Sequence, residues 1–136
     1  MSIQVDFQGV GVARSNLKKV FDATDEGKSV TLGRGQEVIV ALPVEKIQKF
    51  LFETIPAKIE TEITKDGTWL FSSYLPFHSE GKDVDDALED MIAVLREYAE
   101  DWEDHLFTAP NHSDYWGLVQ LIKLSTDDQL KIWLER

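Results

Sequence analysis

The chain contains no cysteine. Disulfides and thiolate metal sites are therefore excluded, and a reducing compartment is a natural setting. No stretch reaches the roughly 18 apolar residues that a membrane span requires. The segment Met1-Ser2-Ile3-Gln4-Val5-Asp6 has neither the basic flank nor the apolar run of a secretion signal. A soluble, cytoplasmic protein with no membrane partner is expected. Phosphate-cradling and dinucleotide-binding glycine motifs are missing, as are Ser-His-Asp and Cys-His arrangements. His105, His112 and Asp114 fall close together, but their spacing matches no metal motif, and His105 near a helix end can simply oppose the helix dipole. No catalytic residue, no metal and no cofactor is expected.

Basic residues are also in short supply. Fourteen Lys/Arg face twenty-five Asp/Glu, a net charge of −11 over 136 residues. The imbalance is local. Residues 1–46 hold six basic and six acidic side chains, so the excess falls entirely on residues 47–136. Asymmetry of this kind suggests two jobs in one chain. The supply of core-forming residues is ample: 43% are hydrophobic, with four Trp and seven Phe. That is not the composition of a disordered protein.

Ile3, Val5 and Phe7 alternate with Gln4 and Asp6, the pattern of a short half-buried strand. From Ala13, small or apolar residues recur at 17, 20, 21 and 24, an amphipathic helix closed by Gly27. Val30–Leu32 reads as a strand and Gly33-Arg34-Gly35-Gln36 as a tight turn. Val38-Ile39-Val40-Ala41-Leu42 is an unbroken apolar strand that needs cover on both faces. Fifty residues supply little of it, so a second copy of the chain is the expected cover, with Leu32, Val38, Ile39, Val40 and Leu42 in a homodimer interface. Pro43 opens a helix carrying Val44, Ile47, Phe50 and Leu51, and Pro56 closes the segment.

Further on, Ile59–Ile63, a Lys65-Asp66-Gly67 turn and Trp69–Leu75 form a hairpin, followed by a loop from Pro76 to Gly81. Asp83 caps a long helix with Val84, Leu88, Met91, Leu95, Ala99, Trp102 and Leu106 on its apolar stripe, about 35 Å in length. Asp83–Asp104 contains ten acids and one arginine. Two short helices follow, one from Ser113 and one after a capping-box-like Ser125 and Asp128. The expected fold is α+β: a β-α-β-β-α dimerisation module at residues 1–54, then an acidic folded region at 55–136 with a β-hairpin, a long helix and two short C-terminal helices.

The charges on the first helix invert the usual order. Arg14, Lys18 and Lys19 lie in its first turns and Asp25 and Glu26 in its last, whereas the macrodipole favours acids first and bases last by roughly 0.3–1 kcal/mol each. A bound anion at the helix start would reward the inverted order, and phosphate suits the free N–H groups there. Arg34, at a hairpin tip between two glycines, is exposed and reachable. A solvated surface would account for any one of these charges. As a set they point to DNA, with two clusters presented to two half-sites by a two-fold dimer.

The runs Ala13-Arg14-Ser15-Asn16-Leu17-Lys18-Lys19-Val20-Phe21, Val30-Thr31-Leu32-Gly33-Arg34-Gly35 and Val38–Pro43 resemble the Phd/YefM antitoxins over about residues 3–52. The resemblance implies a strand-dimerised module that binds operator DNA through Arg14 and Arg34. With it, DNA binding is placed at Arg14, Ser15, Lys18, Lys19 and Arg34. Two departures stand out. A folded, aromatic-rich segment stands where those antitoxins carry a disordered tail, and Gly11-Val12 replaces an acidic residue before the Ala-Arg pair. Thr68–Pro76, the loop ending Glu80-Gly81-Lys82, and Val84-Asp85-Asp86-Ala87-Leu88-Glu89 resemble the half-domain of HicB-like antitoxins over about residues 58–100. That resemblance implies a toxin-facing surface. RNA-cleaving toxins tend to be basic, and an acidic partner would be steered to their RNA groove. Trp102, Trp116 and Trp133 divide between core and partner anchors; with Leu121 they form the expected toxin-binding set. The overall expectation is a type II antitoxin that represses its own operon as a DNA-bound dimer. The alternative is a protein-interaction module of the same fold without DNA binding.

Overall fold

The computed structural model describes residues 2–73 and 75–136, and the chain folds as α+β in two compact units, residues 1–47 and 48–136. The division falls inside a helix, Val44–Thr54 (α3). Its second half belongs with the larger unit, although the sequence reading grouped the whole helix with the first.

In the first unit Phe7–Gln8 (β1) pairs parallel to Val30–Arg34 (β2), and β2 pairs antiparallel to Glu37–Ala41 (β3). The strand expected over residues 3–7 shrinks to two residues. Side chains take its place in the ladder: the Asp6 carboxylate accepts the Thr31 N–H at 2.9 Å, and the Thr31 hydroxyl accepts the Asp6 N–H at 2.9 Å. Gly33 is not part of the turn but the fourth residue of β2, with backbone packed so closely that an added Cβ would collide with the Gln8 side chain. The turn proper is Gly35-Gln36, where Gly35 has φ +61°, a conformation that costs glycine nothing.

The helix expected from Ala13 starts earlier, at Val10, and breaks at Asn16 into Val10–Ser15 (α1) and Leu17–Asp25 (α2). Asn16 has φ −114°, and its side-chain amide donates to the Val12 carbonyl at 2.8 Å. Such local bonding competes with the helical ladder and ends the first segment. The break changes the charge argument: Arg14 now sits in the last turn of α1, where a cation is favourable, and only Lys18 and Lys19 remain in a first turn.

In the second unit Ile59–Thr64 (β4), Gly67–Ser72 (β5) and His78–Gly81 (β6) form an antiparallel meander. β6 lies where a loop was expected; its Ser79 is buried and donates to the Ala87 carbonyl at 2.7 Å. The final residues of the expected second arm include Tyr74, which lies outside the described residues. Helix Val84–Asp104 (α4) runs 21 residues, about 31 Å. Asp83 caps it, accepting the Asp86 N–H at 2.9 Å. Its apolar stripe of Ala87, Leu88, Met91, Leu95, Ala99 and Trp102 is buried. Trp116–Lys123 (α5) follows a 3-10 turn at Ser113–Tyr115. Asp127–Glu135 (α6) is capped by Thr126 with Gln129, so the expected Ser125–Asp128 box lies one residue off. Ser125 is instead buried and bonded to the Leu121 carbonyl. Arg96 closes the end of α5, donating to the Ile122 and Ser125 carbonyls at 2.6 and 2.8 Å while pairing with Asp127.

Candidate interaction surfaces

The first surface belongs to residues 1–47. α1, α2, β2 and β3 enclose a hollow of about 370 Å³ whose apolar floor is Val10, Ala13, Leu17, Leu32 and Ile39. Arg14 and Arg34, twenty residues apart in sequence, both line it, with Glu37 beside them. The two arginines singled out from sequence are thus brought to one rim. They differ in state. Arg34 donates to the Glu37 carboxylate at 3.1 Å, across the ends of β2 and β3, whereas Arg14 is exposed and forms no ion pair among the described residues.

The other expected DNA contacts are more dispersed. The Ser15 hydroxyl is used within the helix, donating to the Gly11 carbonyl at 3.0 Å. Lys18 pairs with Asp22 at 2.8 Å, and the hydrogen bond to that carboxylate raises the ammonium above its ordinary pKa. Lys19 is exposed.

Of the expected dimer residues, Leu32 and Ile39 line the same hollow, and Val38, Val40 and Leu42 do not. β3 is an edge strand, and it is apolar on both faces. Ile39 faces the hollow with Leu32, its cross-strand partner, and Val38 and Val40 point the other way. Ile39 and Val40 are each 54% exposed, and Val38 and Leu42 are exposed too, while Leu32 is half-buried. An exposed apolar edge is what sheet proteins normally cover, bend or charge.

Three of the four residues expected to hold a toxin are interior. Leu121 and Trp133 are fully buried, and Trp102 nearly so. The two indoles are held by their N–H groups, Trp133 on the Ile55 carbonyl at 2.7 Å and Trp102 on the His112 carbonyl at 2.8 Å. An amphipathic stripe does not say which of its large residues reach the surface. Trp116, at the start of α5, is 55% exposed and stays available. The histidines are engaged locally: His105 lies beside Asp104, and His112 Nδ1 meets the Tyr98 hydroxyl at 2.8 Å. Burial raises the Tyr98 phenol above its ordinary pKa. The described residues bring no three His, Cys, Asp or Glu side chains together for a metal, and contain no helix long and apolar enough to cross a membrane.

No family model matches the chain, and no curated protein does. Among solved structures it is similar, over 96% of both chains, to an antitoxin part of a proposed toxin/antitoxin system from Syntrophomonas wolfei subsp. wolfei. The TM-score is 0.78 at 17% sequence identity. The likeness is one of fold.

Proposed function

We propose that the protein is the antitoxin of a bacterial type II toxin–antitoxin pair. It binds operator DNA as a homodimer through residues 1–47 and neutralises a basic toxin through its acidic second unit. The observation that carries this reading is the full-length likeness to the Syntrophomonas protein described as an antitoxin. Two features support it. Arg14 and Arg34 share a rim although the sequence separates them, and that rim adjoins an apolar edge strand suited to a second copy. Two-fold pairing along β3 would present two arginine pairs, the arrangement that reads two half-sites. The acid excess falls wholly outside residues 1–47, where it would attract a basic partner.

A second reading, an interaction module of the same fold that does not bind DNA, is favoured by one observation. Lys18, Lys28 and Arg34 are already paired with Asp22, Glu26 and Glu37. Mobility shifts on the DNA upstream of the gene, at 50 and 200 mM salt, separate the two. Specific, salt-weakened binding that is lost with Arg14→Ala plus Arg34→Ala supports the repressor. Binding that the double variant leaves intact removes these arginines from the interface, and no binding at either salt favours the interaction module.

A further inference from the structure

The meander of the second unit has one covered face and one bare one. Thr68, Leu70 and Ser79 point toward α4 and are buried. Trp69 and Phe71 alternate with them on β5 and point the other way, 40% and 37% exposed. The register frames each ring on both sides. Trp69 lies between Glu62 on β4 and Glu80 on β6, and Phe71 between Glu60 and His78. Side chains directly opposite in such pairs stand about 4.5–5.5 Å apart at Cβ, so rings and carboxylates form one surface. Trp69 stacks on His78, centroids 6.2 Å apart and planes 24° from parallel. At the turn end the face opens into a hollow of about 560 Å³ that adds Asp66 to Trp69 and Glu80. Glu60, Glu62 and Glu80 make no ion pair among the described residues.

Two large aromatic side chains in the middle of a sheet face, ringed by unpaired carboxylates, suit few occupants. Nucleic acid would stack on the rings but be repelled by their frame. A purely apolar partner would desolvate the carboxylates without compensation. A guanidinium or ammonium satisfies both parts, lying over the ring while donating to the flanking carboxylate. We propose that this sheet face docks a lysine- and arginine-bearing surface of a protein partner. That the partner is the toxin rests on the function proposed above. The assignment moves the docking site from the buried Trp102, Leu121 and Trp133 to Trp69 and Phe71, and from the acids of α4 to those of the sheet.

Two probes test it on the full chain: a blocked Arg-Gly-Arg-Gly-Arg peptide, followed by NMR and calorimetry, and the purified product of the adjacent gene. Trp69→Ala/Phe71→Ala and Glu62→Lys/Glu80→Lys should each weaken both probes at least tenfold. Glu97→Lys/Asp101→Lys, which changes net charge equally on exposed positions of α4, should weaken them less than threefold. Circular dichroism should show every variant folded. Tm should stay near wild type for the Glu62→Lys/Glu80→Lys and α4 variants, whose side chains are exposed, and fall for Trp69→Ala/Phe71→Ala, whose binding is compared well below its Tm. Equal losses in the α4 variant would reduce the effect to net charge and overturn the proposal, as would sheet variants that bind like wild type. If Trp69→Ala/Phe71→Ala instead abolishes self-association in sedimentation, the face joins copies of this chain and the proposal fails. An adjacent gene product that does not bind wild type counts against the toxin–antitoxin reading, and the peptide then decides the sheet face alone.

Discussion

The two units distribute their apolar residues in opposite ways. In residues 48–136 the large side chains are mostly interior, from Leu51 and Leu70 through the α4 stripe to Trp133 and Leu134. In residues 1–47 the buried apolar side chains among those described are Val20 and Val30, whereas Val10, Val12, Leu17, Phe21 and most of β3 are exposed. A unit that buries so little cannot offset its conformational entropy on the usual terms. The contrast suggests that the larger unit is stable through its own core and the smaller one through association.

The largest effect expected is therefore in the larger unit. Trp133→Ala removes a fully buried ring and orphans the Ile55 carbonyl it caps. The loss should be about 3–5 kcal/mol, read from urea unfolding as a fall in midpoint with little change in slope. A loss under about 1 kcal/mol, well below that range, would show that the core is looser than its burial indicates.

Next comes the edge of the smaller unit. Ile39→Asp with Val40→Asp places charge on both faces of β3. If the proposed dimer forms through this edge, wild type should be dimeric in sedimentation equilibrium and the double variant monomeric. The Tm of wild type should rise with protein concentration, as mass action requires of a dimer, and that of the variant should not. A wild type that is monomeric at all concentrations would break the comparison and leave β3 to another partner.

Smaller again is the effect of the arginines, which concerns binding alone. Arg14→Ala with Arg34→Ala should leave Tm within a few degrees, since both side chains are exposed and a surface pair such as Arg34–Glu37 contributes about 0–1 kcal/mol. If each arginine neutralises one phosphate, the proposed dimer loses four contacts, and the slope of log K against log salt should flatten by about 3–4. An unchanged slope would mean that neither guanidinium meets a phosphate.

The sequence shows the larger features because their signals are local. The α4 stripe repeats at the helical period, Asp83 and the Lys65–Gly67 turn are local residue signals, and β3 is a short continuous apolar run. The failures arise where a side chain overrides the period. Asn16 bonds back to Val12 and splits a helix that the apolar spacing runs straight through, and Asp6 and Thr31 substitute for ladder bonds of a strand. β6 has almost no apolar pattern, because its register is set by Ser79 under α4 and by Gly81, where a Cβ would strike Asp86. Arg14 and Arg34 are paired in the sequence only by the family resemblance; their place on one hollow comes from the packing of α1 against β2 and β3. The Trp69–Phe71 face was not legible, since only the position of α4 tells which side of the hairpin is covered.

The smallest effect expected separates the tryptophans. Trp116 is the exposed member of the Trp102, Trp116, Leu121 and Trp133 set, and the structure gives its indole N–H no partner among the described residues. Trp116→Ala should shift stability within about 0.5 kcal/mol, as surface substitutions generally do, against the several kcal/mol expected for Trp133. Its value lies in what it does to binding. If the bare sheet face holds the partner, Trp116→Ala should leave the affinity for the adjacent gene product within threefold while Trp69→Ala/Phe71→Ala reduces it tenfold or more. Titration calorimetry on the two variants decides this. A tenfold loss from Trp116 with little from the sheet would place the anchor at the start of α5, and the larger unit would then meet its partner through its helices.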